Sequence, residues 1–532
     1  MAALVACTDD SKKLARSGSG FVLDAERGLV VTSASWLEGV IALELDASPI
    51  ANVSLKWRFK PAGPLAFTVT ANTHAREPVL CSACVSDIRC LPSVHANLTN
   101  VFVGPKDRAT TTPTSNPRHL HCDLVLLSSL VILKLTIPPS CRLEQLACMP
   151  CEMHTGLTVR LVGTPFGTLC PPVFFNSVSE GCVCKAIPGG GGLFVTDARC
   201  PQGCEGGVVI TNDNGSRAVV GVVLCPFSAP DGFPSGLTLC CSMATMGDIL
   251  REYAPLAIPP DHLAMVANPP RGLAKRLSNT VVGIIQGSSW GTGIFLSPDV
   301  VLTCGHIVNG ARATPTCTSN GLSDVTILAP PSSSLSSSSS SSAWTSYRAS
   351  VMYTNGRNVP DVALLRVELL SPAKHPIGRC YLKSGACCAS HPEEGGRVFA
   401  IGYGLESPAN SGAVRPLCTR GVVSKVVCHH GNPRLIQTTS SVLPGMSGGL
   451  VCTEEGEGVG MIVSNSREDA SGWVYPDINY CLPFSWILPH IQRFLSTRDN
   501  AHMREMETCG PEVTGLWTLQ KNETESERKS KL

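Results

Sequence analysis

Short apolar runs separated by glycine- and proline-rich turns dominate the second half of the chain. Residues 281–285 are followed by residues 291–296, by a Ser-Pro-Asp turn at 297–299 and by residues 300–303. Each run has the length and the β-branched content of a buried strand. The 532-residue chain contains 49 Gly and 40 Pro, and few long segments show helical periodicity. The pattern therefore predicts an all-β protein.

Two other patterns divide the chain. The prolines between residues 255 and 277 interrupt the strand pattern and predict a linker. After the last strands, apolar residues recur at helical spacing, and Pro489 fits this helix if it lies in the first turn; these residues are Ile487, Leu488, Ile491, Phe494 and Leu495. The longest apolar run, residues 124–133, is about half the length needed to span a membrane.

Three residues with matched chemistry follow one another in the second half. His306 comes directly after an apolar run, Asp361 directly precedes another, and Ser447 lies between glycines in the sequence LPGMSGGL. The gaps are 55 residues (361 − 306) and 86 residues (447 − 361). A serine hydroxyl needs a base to take its proton and donors to hold the oxyanion, and glycine-rich turns suit the second need. The three residues indicate nucleophilic catalysis.

The motifs GTGIFL, VLTCGH, DVALLRV, IGYG and PGMSGGLV resemble those of chymotrypsin-fold serine proteases of the trypsin and HtrA type. The resemblance implies two six-stranded β-barrels with His306 as general base, Asp361 as its orienting carboxylate and Ser447 as nucleophile. It assigns the oxyanion hole to the N–H groups of Gly445 and Ser447. It also implies a primary substrate pocket lined by Ser441, Ile462, Val463 and Ser464.

Two neighbours of these residues depart from the trypsin pattern. Met446 stands where trypsin-like zymogens have an aspartate that pairs with the new amino terminus. Methionine cannot form that ion pair, so we expect the active site to form without activation cleavage. Cys304, two residues before His306, is expected to be a packed small residue rather than a second nucleophile.

The first half of the chain contains faint copies of the same motifs in the same order. Residues 18–23, 29–35, 163–167 and 201–209 parallel the strand and turn motifs of the second half. In this alignment Ser35 replaces His306, Glu205 replaces Ser447 and Asp123 stands in the place of Asp361. The alternative is a chance similarity of β patterns. We expect a degenerate unit without a base or a nucleophile, with a structural or substrate-selecting role.

The expected organisation is therefore two tandem chymotrypsin-like double β-barrel units. Residues 1–254 form the degenerate unit, 255–277 a linker, 278–496 the catalytic unit with a short terminal helix, and 497–532 a flexible polar tail. The serine-rich stretch at 332–342 is expected to be a mobile surface loop. The tail is too short for the PDZ domain that HtrA proteases usually carry, so substrate selection must come from elsewhere.

Composition and cysteine spacing exclude several classes of partner. The net charge of +1 argues against nucleic-acid and membrane-surface partners. The 26 cysteines occur in a long chain without a signal-peptide pattern, which favours an intracellular protein with reduced thiols. Two CxxC pairs, Cys81/Cys84 and Cys148/Cys151, are 64 residues apart (148 − 84), beyond usual zinc-site spacing. We expect no metal and no cofactor.

The tripeptide Ser530-Lys531-Leu532 matches the address read by the peroxisomal import receptor. With it, the whole chain resembles the peroxisomal processing proteases of the HtrA/Deg type. The resemblance implies a self-associating matrix endopeptidase that removes amino-terminal presequences, processes fatty-acid β-oxidation enzymes and cleaves itself. Residues 105–118, which we expect to be exposed, are a candidate segment for this self-cleavage. The alternatives are a quality-control protease for misfolded matrix proteins and a pseudoprotease scaffold without catalysis.

Overall fold

The computed structural model divides the chain into two compact units, Met1–Pro269 and Pro270–Leu532. The structure describes residues 2–8, 14–38, 41–45, 55–59, 66–72, 78–102, 123–137, 142–150, 153–169, 171–187, 192–213, 216–228, 234–253, 280–308, 325–329, 345–355, 360–368, 393–404, 407, 415–467 and 474–507. The predicted linker, the serine-rich loop, the candidate self-cleavage segment and the targeting tripeptide Ser530-Lys531-Leu532 lie outside the described residues.

The first unit contains two closed barrels. The first barrel has the strand order β1-β2-β3-β8-β7-β6, with β1 at Ala2–Thr8, β2 at Leu14–Asp24, β3 at Leu29–Ser33, β6 at Ala66–Asn72, β7 at Pro78–Cys90 and β8 at Ser129–Thr136. A separate hairpin pairs β4, Ile41–Leu45, with β5, Leu55–Phe59. A helix spans Pro92–Phe102. Alternating apolar residues fill this barrel, among them Val5, Val30, Val69 and Val131.

The second barrel of this unit has the order β10-β11-β12-β15-β14-β13 and closes where β13 pairs with β14. A short strand, β9, adds to β14 in parallel. The strands are β9 at Ala147–Cys148, β10 at Thr158–Gly163, β11 at Ser177–Ala186, β12 at Leu193–Thr196, β13 at Val208–Asp213, β14 at Ser216–Ser228 and β15 at Pro234–Ser242. A short helix, Pro171–Phe174, lies between β10 and β11. After β15 come a 3-10 turn, Met243–Met246, and a helix, Gly247–Tyr253.

The second unit repeats the arrangement with two closed barrels. The first has the order β16-β17-β18-β21-β20-β19, with strands at Val281–Gln286, Ser289–Ser297, Val300–Thr303, Val325–Ala329, Thr345–Thr354 and Ala363–Glu368 in chain order. The second has the order β22-β23-β24-β27-β26-β25, with strands at Arg397–Gly402, Leu417–His429, Asn432–Thr438, Leu450–Thr453, Gly458–Arg467 and Val474–Pro483 in chain order.

All four barrels share one strand order: the first three strands pair in sequence, and the sixth strand then pairs with the third. An antiparallel sheet of this kind closes on itself and leaves no unpaired edge. The structure confirms the predicted all-β class and the two tandem double-barrel units. The proposed domain limits stay predictions. Within the described ranges, no helix is both long and apolar enough to cross a membrane.

The carboxy-terminal helix is longer than the pattern predicted. It spans Phe484–Thr497, so Pro489 lies in its second turn rather than its first. Pro489 has no N–H to donate to the carbonyl of Ser485, so the helix lacks one of its backbone hydrogen bonds at this turn. A second helix, Ala501–Glu507, follows inside the region predicted to be a flexible tail. It is ordered because Met503 and Met506 are buried in the same core as Ile491 and Phe494.

The prediction that Asp123 occupies the place of Asp361 was wrong. Residues 123–127 are helical and Asp123 is exposed, whereas the strand that pairs with β3 is β8, Ser129–Thr136. The hydroxyls of Ser128 and Ser129 donate to the carbonyl of Val125 and end the helical turn before the strand begins. Thr32 pairs with Val131 as Thr303 pairs with Ala363, which makes Ser129 the equivalent of Asp361.

Candidate active site

His306 lies in a one-turn helix, Gly305–Val308, that follows β18 directly. Its Nδ1 hydrogen-bonds the Oδ2 atom of Asp361, and its backbone N–H donates to Oδ1 of the same carboxylate at 2.9 Å. The two contacts fix both the position and the ring orientation of the histidine. The His306 side chain remains 35% exposed and that of Asp361 13%, so the imidazole is reachable while the carboxylate is mostly covered.

Asp361 is held in place by a residue that the sequence patterns did not single out. The amide side chain of Asn355 donates to the carbonyl of Pro360 and accepts from the backbone N–H of Val362 at 3.2 Å. Asn355 therefore clamps the backbone on both sides of Asp361. It follows β20 directly, a position where an isolated asparagine usually indicates only a turn.

Ser447 lies in a tight turn between Leu443 and Leu450. Gly445 has φ +93° and Gly448 has φ +81°, backbone conformations that residues with a Cβ rarely adopt. Within the turn, the N–H of Met446 donates to Leu443 O at 3.0 Å and that of Gly449 to Met446 O at 2.9 Å. Among the described hydrogen bonds, the N–H groups of Gly445 and Ser447 donate to no protein acceptor. Both are thus available to an oxygen of a ligand.

The carbonyl of Ile462 joins the histidine segment to the serine turn. It accepts from the N–H of Gly448 at 2.8 Å and from the Sγ of Cys304 at 3.3 Å. Cys304 is two residues before His306, and Gly448 directly follows Ser447. The hydroxyl of Ser447 donates to the next carbonyl along β26, that of Val463, at 3.0 Å. The structure therefore places Asp361 against His306 and links the His306 segment to the turn that carries Ser447, while the Ser447 hydroxyl bonds Val463 O rather than the imidazole.

Thr292 makes four hydrogen bonds, two of which connect the first barrel of this unit to the serine turn. Its N–H donates to Ser447 O at 2.9 Å and its Oγ1 donates to Gly445 O at 2.7 Å. The same Oγ1 accepts from the N–H of Tyr403 at 2.8 Å, and the Thr292 carbonyl accepts from Thr303 Oγ1 at 2.7 Å. Sequence reasoning noted the GTG motif as a family feature but missed this positioning role. The sequence feature that could have indicated this role is a hydroxyl residue between two glycines, which occurs in both halves of the chain as Thr292 and Ser19.

Cys304 is fully buried next to the histidine. Burial raises the pKa of its thiol well above the usual value, with a further contribution from the charge of Asp361. A thiol that stays protonated is a poor nucleophile, which agrees with the expected packing role.

The four residues predicted to line a substrate pocket lie on the two sides of the serine turn. Ser441 precedes the turn, and its carbonyl accepts from Thr419 Oγ1 at 2.8 Å. Ile462, Val463 and Ser464 lie in β26, with Ile462 and Val463 buried and Ser464 exposed. None of the four carries a formal charge. Their contact with a substrate stays a prediction.

Among the described residues, two groups bring three possible metal ligands within 4.8 Å of one another. One consists of Cys304, His306 and Asp361, and the other of Cys182, Cys184 and Asp197 in the first unit. In each group the ligand atoms already bond within the protein: His306 to Asp361, and Cys182 Sγ to Asp197 Oδ2 at 3.7 Å. Neither arrangement requires an ion to account for it.

Comparison with known proteins matches the same segment. Residues 291–461 match a protein family described as trypsin-like peptidase domain. This segment is thus similar to the trypsin-like peptidases over 171 residues (461 − 291 + 1). The resemblance predicted from the motifs is confirmed, and we refer to the second unit as the peptidase unit.

Two curated relatives carry the name peroxisomal leader peptide-processing protease. The Homo sapiens protein is 29% identical over 386 residues, which cover 70% of this chain and 62% of that one. The Mus musculus protein is 29% identical over 380 residues, covering 69% of this chain and 60% of that one. The chain thus spans about three fifths of the length of the curated relatives it matches.

Solved structures with a detectable similarity include two proteases. The HtrA-type protease AlgW with a tripeptide is 17% identical, with a TM-score of 0.31, and covers 43% of this chain and 64% of that one. The serine endoprotease from Yersinia pestis is 18% identical, with a TM-score of 0.31, and covers 44% of this chain and 69% of that one.

The first unit contains a turn with the same backbone as the serine turn of the peptidase unit. Gly203 and Gly206 have φ +96° and +84°, close to the values at Gly445 and Gly448. The N–H of Ser19 donates to Glu205 O at 2.9 Å, as that of Thr292 does to Ser447 O. The hydroxyl of Ser19 donates to Gly203 O at 2.7 Å and accepts from the N–H of Thr164 at 2.8 Å, reproducing the contacts of Thr292.

Side chains at the three chemical positions differ between the units. Ser35 takes the place of His306, and its hydroxyl hydrogen-bonds Ser33 Oγ at 2.8 Å and Leu224 O at 3.1 Å. Ser129 takes the place of Asp361, and Glu205 that of Ser447. The carboxylate of Glu205 accepts from the N–H of Gly203 at 2.7 Å. Without an imidazole, the first unit has no group at this position that could activate a nucleophile.

Burial raises the pKa of the Glu205 carboxyl above its usual value of 4.5, and backbone N–H groups offset only part of this effect. The folded state therefore binds the proton at a higher pH than the unfolded chain does. Relative to Glu205→Gln, the free energy of unfolding of the wild type should increase as pH falls from neutrality through the raised pKa towards 4.5. Urea unfolding of both proteins across this range measures the difference. Parallel pH curves would contradict the burial effect.

Proposed function

We propose that the chain is a serine endopeptidase in which His306 is the general base, Asp361 orients it and Ser447 is the nucleophile. The observation that carries the proposal is the double contact of Asp361 with the ring and the backbone of His306, beside a glycine turn that presents Ser447. The proposed oxyanion hole consists of the N–H groups of Gly445 and Ser447. The match of residues 291–461 to the trypsin-like peptidase domain supports these roles.

The geometry suggests how the residues would share the reaction. The carboxylate of Asp361 favours the histidine tautomer with its proton on Nδ1, which leaves Nε2 able to accept a proton. The hydroxyl of Ser447 turns from Val463 O towards Nε2, gives up its proton and attacks the scissile carbonyl carbon. The two N–H groups hold the oxyanion, and protonated His306 then gives its proton to the leaving amine. Water attacks the acyl-enzyme by the same route, which releases the carboxyl product and restores Ser447.

The active site of this protease would form without activation cleavage. Met446 is fully buried, and its Sδ accepts from the N–H of Leu443 at 3.5 Å. Its side chain packs against Gly402 and Gly404. A Cβ added at Gly402 would lie 3.2 Å from the Met446 Cβ, and one added at Gly404 would lie 3.1 Å from the Met446 Cγ. The serine turn is thus supported by packing where zymogens use an ion pair with a new amino terminus.

We further propose that the enzyme works in the peroxisomal matrix by limited cleavage of imported proteins. The names of the two curated relatives support both the location and the removal of leader peptides. Ser530-Lys531-Leu532 would be the tripeptide recognised by the import receptor. Processing of fatty-acid β-oxidation enzymes, self-cleavage and self-association belong to the same proposal. The uncharged residues Ser441, Ile462, Val463 and Ser464 favour a pocket for small or apolar side chains over arginine or lysine.

The proposal is tested by labelling the purified full-length protein with a serine-directed fluorophosphonate. We expect one labelled site per chain, at Ser447, with labelling lost in Ser447→Ala and greatly slowed in His306→Ala. Absence of labelling in the wild type would favour the pseudoprotease scaffold.

Amino-terminal sequencing of the products then identifies the type of proteolysis. A substrate with a removable presequence should give one discrete new amino terminus, whereas an unfolded control protein should remain largely intact. Ragged peptides from both substrates would favour the quality-control protease over the processing enzyme.

A further inference from the structure

The first unit keeps the backbone of an oxyanion hole although it lacks the base and the nucleophile. Besides the contacts of Ser19, the N–H of Gly206 donates to Val223 O at 2.9 Å, as that of Gly448 does to Ile462 O at 2.8 Å. The N–H of Val223 returns a bond to Gly207 O at 2.9 Å, as that of Ile462 does to Gly449 O at 2.8 Å. The turn at 201–207 therefore has the shape that presents the N–H groups of Gly203 and Glu205 to one oxygen.

The side chain of Glu205 folds back onto the first of these two donors. Its Oε2 accepts from the N–H of Gly203 at 2.7 Å. The backbone N–H groups of Glu205 and Gly203 lower the pKa of the carboxyl, but burial raises it by more. In the peptidase unit, the equivalent N–H groups of Gly445 and Ser447 donate to no protein acceptor among the described hydrogen bonds. The N–H of Gly203 is thus occupied in the first unit, whereas its equivalent at Gly445 is open in the peptidase unit.

We propose that the first unit retains a carboxylate-binding site built from an oxyanion hole and that the side chain of Glu205 is its built-in occupant. A peptide carbonyl cannot reach the N–H of Gly203 while the carboxylate is bound there. Any peptide that the first unit binds must therefore use other contacts. The first unit would be closed at the very place where the peptidase unit is open.

The chemistry of the turn explains why a carboxylate suits it. Two N–H groups that converge on one oxygen favour an anion, as they do for the oxyanion of an acyl-transfer intermediate. A carboxylate oxygen supplies such a charge without a bound substrate. Positions 203 and 206 have positive φ, and a Cβ at Gly206 would lie 2.2 Å from Ser19 O. The turn is therefore held by surrounding backbone and should keep its shape when the carboxylate is removed.

Removing the occupant should create a site for an external carboxylate. Glu205→Ser installs the residue that the peptidase unit carries in the same turn, so the backbone can accommodate it. We expect about 100 mM sodium acetate to raise the melting temperature of full-length Glu205→Ser by roughly 1–3 °C more than it raises that of the parent. Both proteins carry Ser447→Ala to prevent self-cleavage. Equal effects on both would overturn the proposal.

Matched controls separate anion binding from other causes. Sodium chloride at the same ionic strength and neutral acetamide at the same concentration should produce no such difference. Glu205→Gln keeps the side-chain volume in the hole and should not respond to acetate. A response of Glu205→Gln equal to that of Glu205→Ser, or an equal effect of acetamide, would contradict carboxylate recognition.

If Glu205→Ser does not fold in chloride, its refolding yield in acetate supplies the same contrast. A higher yield in acetate than in chloride or acetamide supports the site, and equal yields overturn it. All of these measurements use inactive protein, so they are independent of the proposed function of the peptidase unit.

Discussion

Asp361→Asn is expected to lower kcat by about 10⁴-fold with a small change in KM. The carboxylate of Asp361 accepts a hydrogen bond from Nδ1 of His306. The asparagine amide would instead donate an N–H to this nitrogen. The imidazole would then carry its proton on Nε2, the nitrogen that must accept the proton of Ser447. The contact of the side chain with the backbone N–H of His306 can be kept by the asparagine oxygen, so the fold should survive. Steady-state kinetics with a presequence-bearing peptide measures the loss.

Asp123→Asn is the matched control for this substitution. Asp123 is the acid that the sequence alignment placed in the position of Asp361, but the structure shows it exposed in a helical segment. Its replacement should leave kcat and KM within about twofold of the wild type, as expected for an exposed surface residue. Activity of Asp361→Asn within tenfold of the wild type would contradict the proposed role of Asp361. An equal loss of activity in Asp123→Asn would show that the effect does not depend on the contact with His306.

The sequence was sufficient for the architecture because its signals are local and repeated. Runs of four to six apolar residues bounded by glycine and proline identify strands wherever they occur. The order of His306, Asp361 and Ser447 relative to these strands placed them at strand ends, and the structure joins His306 to Asp361 and links their segment to the Ser447 turn. Their catalytic roles remain proposals, but their proximity follows from the barrel topology.

Asp123 shows where local signals fail. Residues 123–133 form one apolar run with an acid at its start, which looks like the segment that begins at Asp361. Short apolar runs do not distinguish a strand from a buried helical turn. The deciding feature is the Ser128-Ser129 pair, whose hydroxyls bond the Val125 carbonyl and end the turn. Hydrogen bonds of this kind depend on the backbone conformation that they help to stabilise, so the pattern alone did not show them.

Thr292 and Glu205 were missed in their roles for a different reason. The Thr292 side chain bonds a backbone carbonyl that is 153 residues away in the sequence. The Glu205 side chain bonds a backbone N–H of its own turn. Every residue has such backbone groups, so nothing in the sequence marks these partners. A sequence reports side chains and their spacing, but not which carbonyl a hydroxyl will meet. Only the closed barrels bring Thr292 to Gly445 and Ser19 to Gly203, and this shared contact identifies the two turns as equivalent.

Gly448→Ala is expected to reduce kcat/KM by about 10³-fold or more. The new Cβ would lie 2.0 Å from the carbonyl oxygen of Thr292 and 2.6 Å from Thr303 Oγ1, at a residue with φ +81°. Relief of these contacts requires the turn to move, which displaces Ser447 and its N–H together. Loss of one oxyanion donor alone costs about 10²–10³-fold, and misplacement of the nucleophile adds to it. Kinetics normalised to folded protein measures the effect.

Gly206→Ala places the same substitution in the equivalent turn of the first unit. Its Cβ would lie 2.2 Å from Ser19 O and 2.6 Å from Thr32 Oγ1, at φ +84°, so the strain on the turn is nearly the same. Both variants should lose stability, roughly 1–3 kcal/mol for the backbone conformation alone, but only Gly448→Ala should lose turnover per folded molecule. Because the steric change is matched, the difference in turnover between the two variants isolates the chemistry of the peptidase turn. Equal losses of turnover would show instead that the first unit takes part in catalysis.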